Sequence, residues 1–130
     1  MNTNIKVIIL VSILLITVIL SGVLTLYYLD KSAGVLELAI LSASKSVTDK
    51  QWNSAEKQLE EFSRSWKSTK YFWAMLVDHF EIDNIEDSYN KTKKYVESED
   101  YSSSLAELET LRHYIRHIPE KEGFTFENIL

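Results

Sequence analysis

Apolar positions recur along this chain at helical spacing, and the alternation expected of strands is nearly absent. Val7 to Leu29 carries no charge and is mostly Ile, Leu and Val. Beyond it, Leu36, Ile40, Ala43 and Val47 share one stripe, so the helix is expected to run on through residues 30–48, weakened at Gly34. Trp52, Ala55, Leu59, Phe62 and Trp66 form the next stripe, opposite a charged face of Glu56, Lys57, Glu60, Glu61 and Arg64. Thr48 and Gln51 have capping-box spacing and mark its start. Lys67 to Lys70 reads as a short connection into a central helix that reaches about Glu97. In that helix Met75, Ile82, Tyr89 and Val96 fall seven apart, with Asp78, Ile85 and Thr92 threaded between them, which favours one unbroken element. A rival capping box at Asp83 and Glu86 would split it at Asn84. Ser98 to Asp100 supplies the next turn and N-cap, and Tyr101, Ser104, Leu108, Leu111 and Ile115 form the last stripe. Pro119 is expected to end that helix after Ile118. The apolar tail from Gly123 to Leu130 is expected to fold back onto the bundle.

The pattern therefore predicts an all-α protein. Residues 1–6 form a short head, 7–29 a transmembrane signal anchor and 30–48 a juxtamembrane helix. Residues 49–118 form an antiparallel bundle of three helices, four if the central one divides, and 119–130 a tail packed on it. At ~1.5 Å per residue, the charge-free run is long enough for a hydrocarbon core of ~30 Å. Tyr27 and Tyr28 close it with rings suited to the interface. A cleaved signal peptide is the competing reading. The run exceeds a typical h-region of ~7–15 residues, however, and no small-x-small site follows it directly.

Composition narrows the picture further. The chain has 130 residues with three glycines and one proline, in keeping with a nearly all-helical domain. It has no cysteine, which excludes a lipoprotein anchor and any disulfide. Net charge is −5, and apart from Lys6 every charged residue follows the span. An acidic domain of this kind disfavours nucleic acid, which requires a basic face. Lys6 on one flank and Asp30 with Lys31 on the other leave the positive-inside rule nearly balanced. The short basic head favours a signal anchor with the C-terminal domain outside the cell.

Candidate chemistry concentrates at Asp78-His79-Phe80-Glu81-Ile82-Asp83. Phe72, Leu76, His79 and Asp83 step by three and four, so His79 and Asp83 extend an apolar line and stand within reach at i,i+4. A sheltered, mutually hydrogen-bonded pair is the expectation, with Asp78 capping or pairing to a neighbouring helix. His79 and Asp83 with His113 and His117 also have the spacing of a four-ligand zinc site. Against that, His113 and His117 point away from the Leu108, Leu111, Ile115 seam and sit with Arg112 and Arg116 in the expected last turns, where cations suit the helix dipole. No metal or cofactor is therefore expected. Trp52, Trp66 and Trp73 are expected in the core and not in a ligand cage. There is no G-x-S-x-G, no glycine-rich phosphate loop and no H-E-x-x-H, and no enzymatic activity is expected.

Over essentially its full length, the chain resembles the bacterial family called domain of unknown function 4363. The resemblance is carried by Trp52-x-x-Ala55, Trp66, Asp78-His79-x-Glu81-Ile82-Asp83, the region from Leu105 to Leu111, and the closing Asn128-Ile129-Leu130. It implies a short protein with an N-terminal apolar span and a helical remainder. It also implies a mainly Gram-positive, often spore-forming setting, beside genes for small multi-pass membrane proteins, and it brings no activity or catalytic residue with it. Two readings follow. The first is a membrane-anchored helical interaction or scaffold module, held by Val7–Leu29 in the lipid bilayer and acting with a multi-pass membrane protein. The alternative is a metal- or ligand-binding sensor built on His79 and Asp83.

Overall fold

The computed structural model describes residues 2–129, and all four of its elements are helices: α1 (Thr3–Thr48), α2 (Trp52–Leu76), α3 (His79–Glu97) and α4 (Tyr101–Ile129). Each helix packs on two neighbours, α1 on α2 and α4, and α3 on the same two. Short turns make successive helices antiparallel, giving a closed up-down-up-down bundle. The expected all-α bundle is present. Residues 30–48, expected as a juxtamembrane helix, are the part of α1 that packs in the bundle.

One helix thus has two environments. From Val7 to Val18 every residue of α1 is exposed, whereas Leu29, Ala33, Leu36, Ile40, Ala43 and Val47 are fully buried. The stripe continues in Leu59, Phe62, Trp66 and Trp73 of α2, Ile82, Ile85 and Val96 of α3, and Leu108, Leu111, Ile115 and Ile118 of α4. Gly34 interrupts nothing: α1 is continuous through it, with open space where a side chain would be.

Two of the turns have the same geometry. After α1, Lys50 adopts φ 54°, its N–H donates to the Val47 carbonyl, and Gln51 N–H donates to that of Ser46. After α3, Glu99 adopts φ 55°, with Glu99 N–H on Val96 and Asp100 N–H on Tyr95. Both are Schellman closures with a non-glycine residue in the left-handed position. The Asp100 carboxylate then accepts from Ser103 N–H at 3.1 Å, which caps α4 as expected, and the Ser103 hydroxyl together with this N–H holds the acid below the usual carboxylate range. The turn at Thr48 departs from the expected capping box. Thr48 is the last residue of α1, donating to the Ser44 carbonyl, and α2 starts behind Gln51 without a side-chain cap.

The central helix is not one element. Lys67 to Lys70 lies inside α2, where Thr69 is buried, and the break falls at Val77 and Asp78, both extended. Asp78 Oδ1 accepts from Phe80 N–H at 3.3 Å and Glu81 occupies the third helical position, the spacing of a capping box. Continuity would have sent the chain on past the end of the bundle. The break reverses it and lets Ile82 and Ile85 reach the core, while Met75 is left 62 % exposed.

Pro119 does not end the last helix either. α4 runs through it to Ile129, with Ile118 and Pro119 both buried. A mid-helix proline forgoes one backbone hydrogen bond. The continued helix gains packing against α1 in return. The Phe126 ring lies so close to Gly22 that a Cβ there would collide with it. The C-terminal segment is thus packed, as expected, but as helix running beside the apolar half of α1.

Candidate functional site

The residues singled out from the sequence collect at one end of the bundle, the end from which the apolar half of α1 emerges. Asp78 caps α3. Glu81 is largely sheltered and pairs with Lys121 of α4 at 3.2 Å. His79 and Asp83 are exposed and make no hydrogen bond or ion pair among the described residues. The expected sheltered pair is therefore absent. Because α2 stops at Leu76, Phe72, Leu76, His79 and Asp83 are no longer one helical line. His79 becomes the first residue of a new helix at the bundle's end, with no further layer above it.

The tryptophans divide. Trp73 is fully buried, its Nε1–H donating to Ser32 Oγ at 2.9 Å, which fixes the end of α2 to α1. Trp66 stands edge-on to it, ring centroids 5.8 Å apart, and donates to Glu86 Oε1 at 3.3 Å. Phe62 stacks on Tyr89, with centroids 5.4 Å apart, completing an aromatic column between α2 and α3. Trp52 is half-buried at the far end. Lys70 pairs with Glu86, and this contact together with the Trp66 indole holds the Glu86 carboxyl below the usual range against the opposing effect of burial.

The largest charge cluster was not anticipated. Glu37 lies on α1 amid apolar neighbours, with its carboxylate accepting from Arg112 Nε at 3.0 Å and meeting Arg116 Nε at 3.3 Å. Arg112 also reaches Glu109, and Arg116 reaches Asp30. The Glu37 contact raises the Arg112 pKa further, so the guanidinium is permanently charged. These arginines were expected to complement a helix end, but α4 continues well past them, so they clasp α1 to α4 instead. The available signal was Arg112 and Arg116 at i,i+4 facing a lone acid in the apolar run around Glu37. The clasp joins α1 to α4 through charge-assisted hydrogen bonds.

His113 and His117 stack on each other on the exposed side of α4, with ring centroids 5.8 Å apart. Among the described residues no group of three or more His, Asp or Glu side chains is placed to hold a metal ion. What does gather at this end is apolar. Tyr71, Phe72, Met75 and Phe80 are each at least half exposed, as is Phe124 of α4. No curated protein and no solved structure matches the chain. A family described as a domain of unknown function (DUF4363) matches residues 23–129, nearly all of the bundle with the last turns of the apolar segment, and the chain belongs to that family.

Proposed function

We propose that this chain is a membrane-anchored, non-catalytic interaction module, with Val7–Leu29 in the bilayer and the four-helix bundle at its surface. The observation that carries this reading is the uncovered apolar half of α1. It is long and apolar enough to cross a membrane, and none of its most apolar stretch is buried. A core helix of a soluble protein would be covered by its own fold, whereas Val7 to Val18 are all exposed and Phe126 of α4 meets α1 further along, at Gly22. Because α1 continues without a break into the bundle, the anchor and the folded domain are one rigid element.

The bundle lies outside the cytoplasm in this reading. Lys6 on one flank and Lys31 on the other leave the positive-inside rule nearly balanced, so immediate flanking charge does not hold the bundle inside. The partner is a membrane protein, contacted through the exposed side of α1 within the bilayer. The native chain has no cysteine, so single cysteines report without background. Ser102→Cys should react with a membrane-impermeant maleimide on intact cells, and reaction only after lysis would place the bundle inside. Leu14→Cys carrying a photoactivatable crosslinker should give one discrete protein adduct in native membranes. Adducts to lipid alone would refute the partner.

A further inference from the structure

The exposed apolar side chains at the near end of the bundle share a height, not a face. Phe72 packs edge-on against Tyr28 of α1, centroids 5.8 Å apart, so this point of α2 is level with the last turn of the apolar run. α2 is antiparallel to α1. Its next four residues therefore carry Met75 and Leu76 about 6 Å further down, to the level of Leu24. On the opposite side, Glu81 at the start of α3 meets Lys121 of α4, and Phe124 follows one turn below. Phe126 then rests on Gly22. The end of α2, the start of α3 and the last turns of α4 thus stand level with Gly22–Tyr28, the end of the span nearest the bundle in the reading proposed above.

At that height Tyr71, Phe72, Met75, Leu76, Phe80 and Phe124 are between 39 % and 69 % exposed. Apolar exposure on this scale marks a contact surface. A protein partner would meet one face of the bundle, whereas these residues come from α2, α3 and α4 and lie at one level across its near end. A lipid surface presents that shape. The polar groups intermixed with them also suit the boundary between headgroups and acyl chains: Asp78 and His79 lie at the turn, Lys121 pairs with Glu81 beside it, and Lys70 stands about 9 Å above the end of α2. Both signs of charge are present, so the attraction is partitioning of apolar surface and not adhesion to anionic lipid.

We infer that the α2–α3 turn and the end of α4 form a collar that seats the bundle in the interfacial layer of the bilayer, upright on its own anchor. This rests on the membrane-anchored reading, and one experiment separates the two. The full chain is reconstituted in phosphatidylcholine vesicles, with an environment-sensitive fluorophore on a single cysteine at Leu14, Met75, Phe80 or Asn53. Nitroxide is carried either on the lipid headgroup or deep in the acyl chain. The collar predicts that headgroup nitroxide removes most of the emission at Met75→Cys and Phe80→Cys and little at Asn53→Cys, at the far end of α2. Deep nitroxide should quench Leu14→Cys. Quenching at position 14 without quenching at 75 and 80, with iodide reaching both from water, would overturn the collar and leave the anchor standing, freeing that surface for a protein partner or a second copy. Quenching at 53 equal to that at 75 would mean a bundle lying flat, and would also overturn it. No quenching at position 14 would remove the anchor and the collar together.

Discussion

Trp73→Ala removes the largest fully buried side chain of the bundle, at the point where α2, α1 and the aromatic column meet. Three contributions set the magnitude. Deleting a buried tryptophan costs about 3–5 kcal/mol from lost transfer and the cavity left behind. The edge-on contact with Trp66 adds to this, at about 0.5–1.5 kcal/mol for a buried aromatic pair. The hydrogen bond to Ser32 adds little, because that hydroxyl still reaches the carbonyls of Tyr28 and Leu29 and is not stranded. A loss of about 4 kcal/mol in a bundle of about a hundred residues lowers Tm by 15 °C or more at roughly 4 °C per kcal/mol. Denaturant titration of the full chain in detergent micelles, followed by the remaining tryptophan emission, measures it. Trp73→Phe keeps a ring in the cavity and should recover more than half of the loss. A Trp73→Ala variant within 1 kcal/mol of wild type would refute the packing described between α1 and α2.

Other consequences are sharper in sign than in size. Ser104 is fully buried and its hydroxyl has no partner among the described residues, so Ser104→Ala should stabilise the bundle by about 1 kcal/mol, read as a rise in Tm; a fall would mean that the hydroxyl has a partner. Glu86 is held below the ordinary glutamate range by Lys70, so its contribution is present above that range, near ~4.3, and is lost as the pH falls below it. Glu86→Gln should therefore flatten the acid side of the stability profile between about pH 5 and 3, and an unchanged slope would dissociate Glu86 from acid unfolding. Asp78→Ala removes the cap of α3 and should cost about 1 kcal/mol, with Asp78→Asn retaining most of it; equal losses in both variants would mean that charge, not the cap, is what matters.

Much of this fold was legible in the stripes. Leu36, Ile40, Ala43 and Val47 of α1, Ala55, Leu59, Phe62 and Trp66 of α2, and Ser104, Leu108, Leu111 and Ile115 of α4 are buried where the periodicity marks them, because residues at three- and four-residue steps face a common core, whereas Leu29, Ala33 and Ile118 extend those stripes and Tyr101 is exposed. The turns were harder, since local signals compete. Asp78…Glu81 and Asp83…Glu86 have the same capping-box spacing, and the seven-residue seam through Ile82 favours an unbroken helix over either. Only the height of the bundle decides between them: α2 must reverse where α1 enters its apolar run, and that point is Val77. Pro119 misleads for a similar reason. Its local cost is real, but packing of Phe126 on Gly22 offsets it, and the proline carries no sign of what lies seven residues downstream. His79 and Asp83 depended entirely on the unbroken helix, and they moved to the surface with the break. The arginine clasp on Glu37 joins residues 75 apart in sequence, a pairing that helical spacing alone does not reveal.

The central claim is that one continuous helix serves as both membrane anchor and first helix of the bundle. The intact mass of the protein recovered from alkali-washed membranes tests it most directly. Retention of Val7–Leu29 predicts the full 15.1 kDa chain in the membrane pellet. A shortened chain beginning within or after that stretch, released to the soluble fraction, would make it a removed signal sequence and contradict the account.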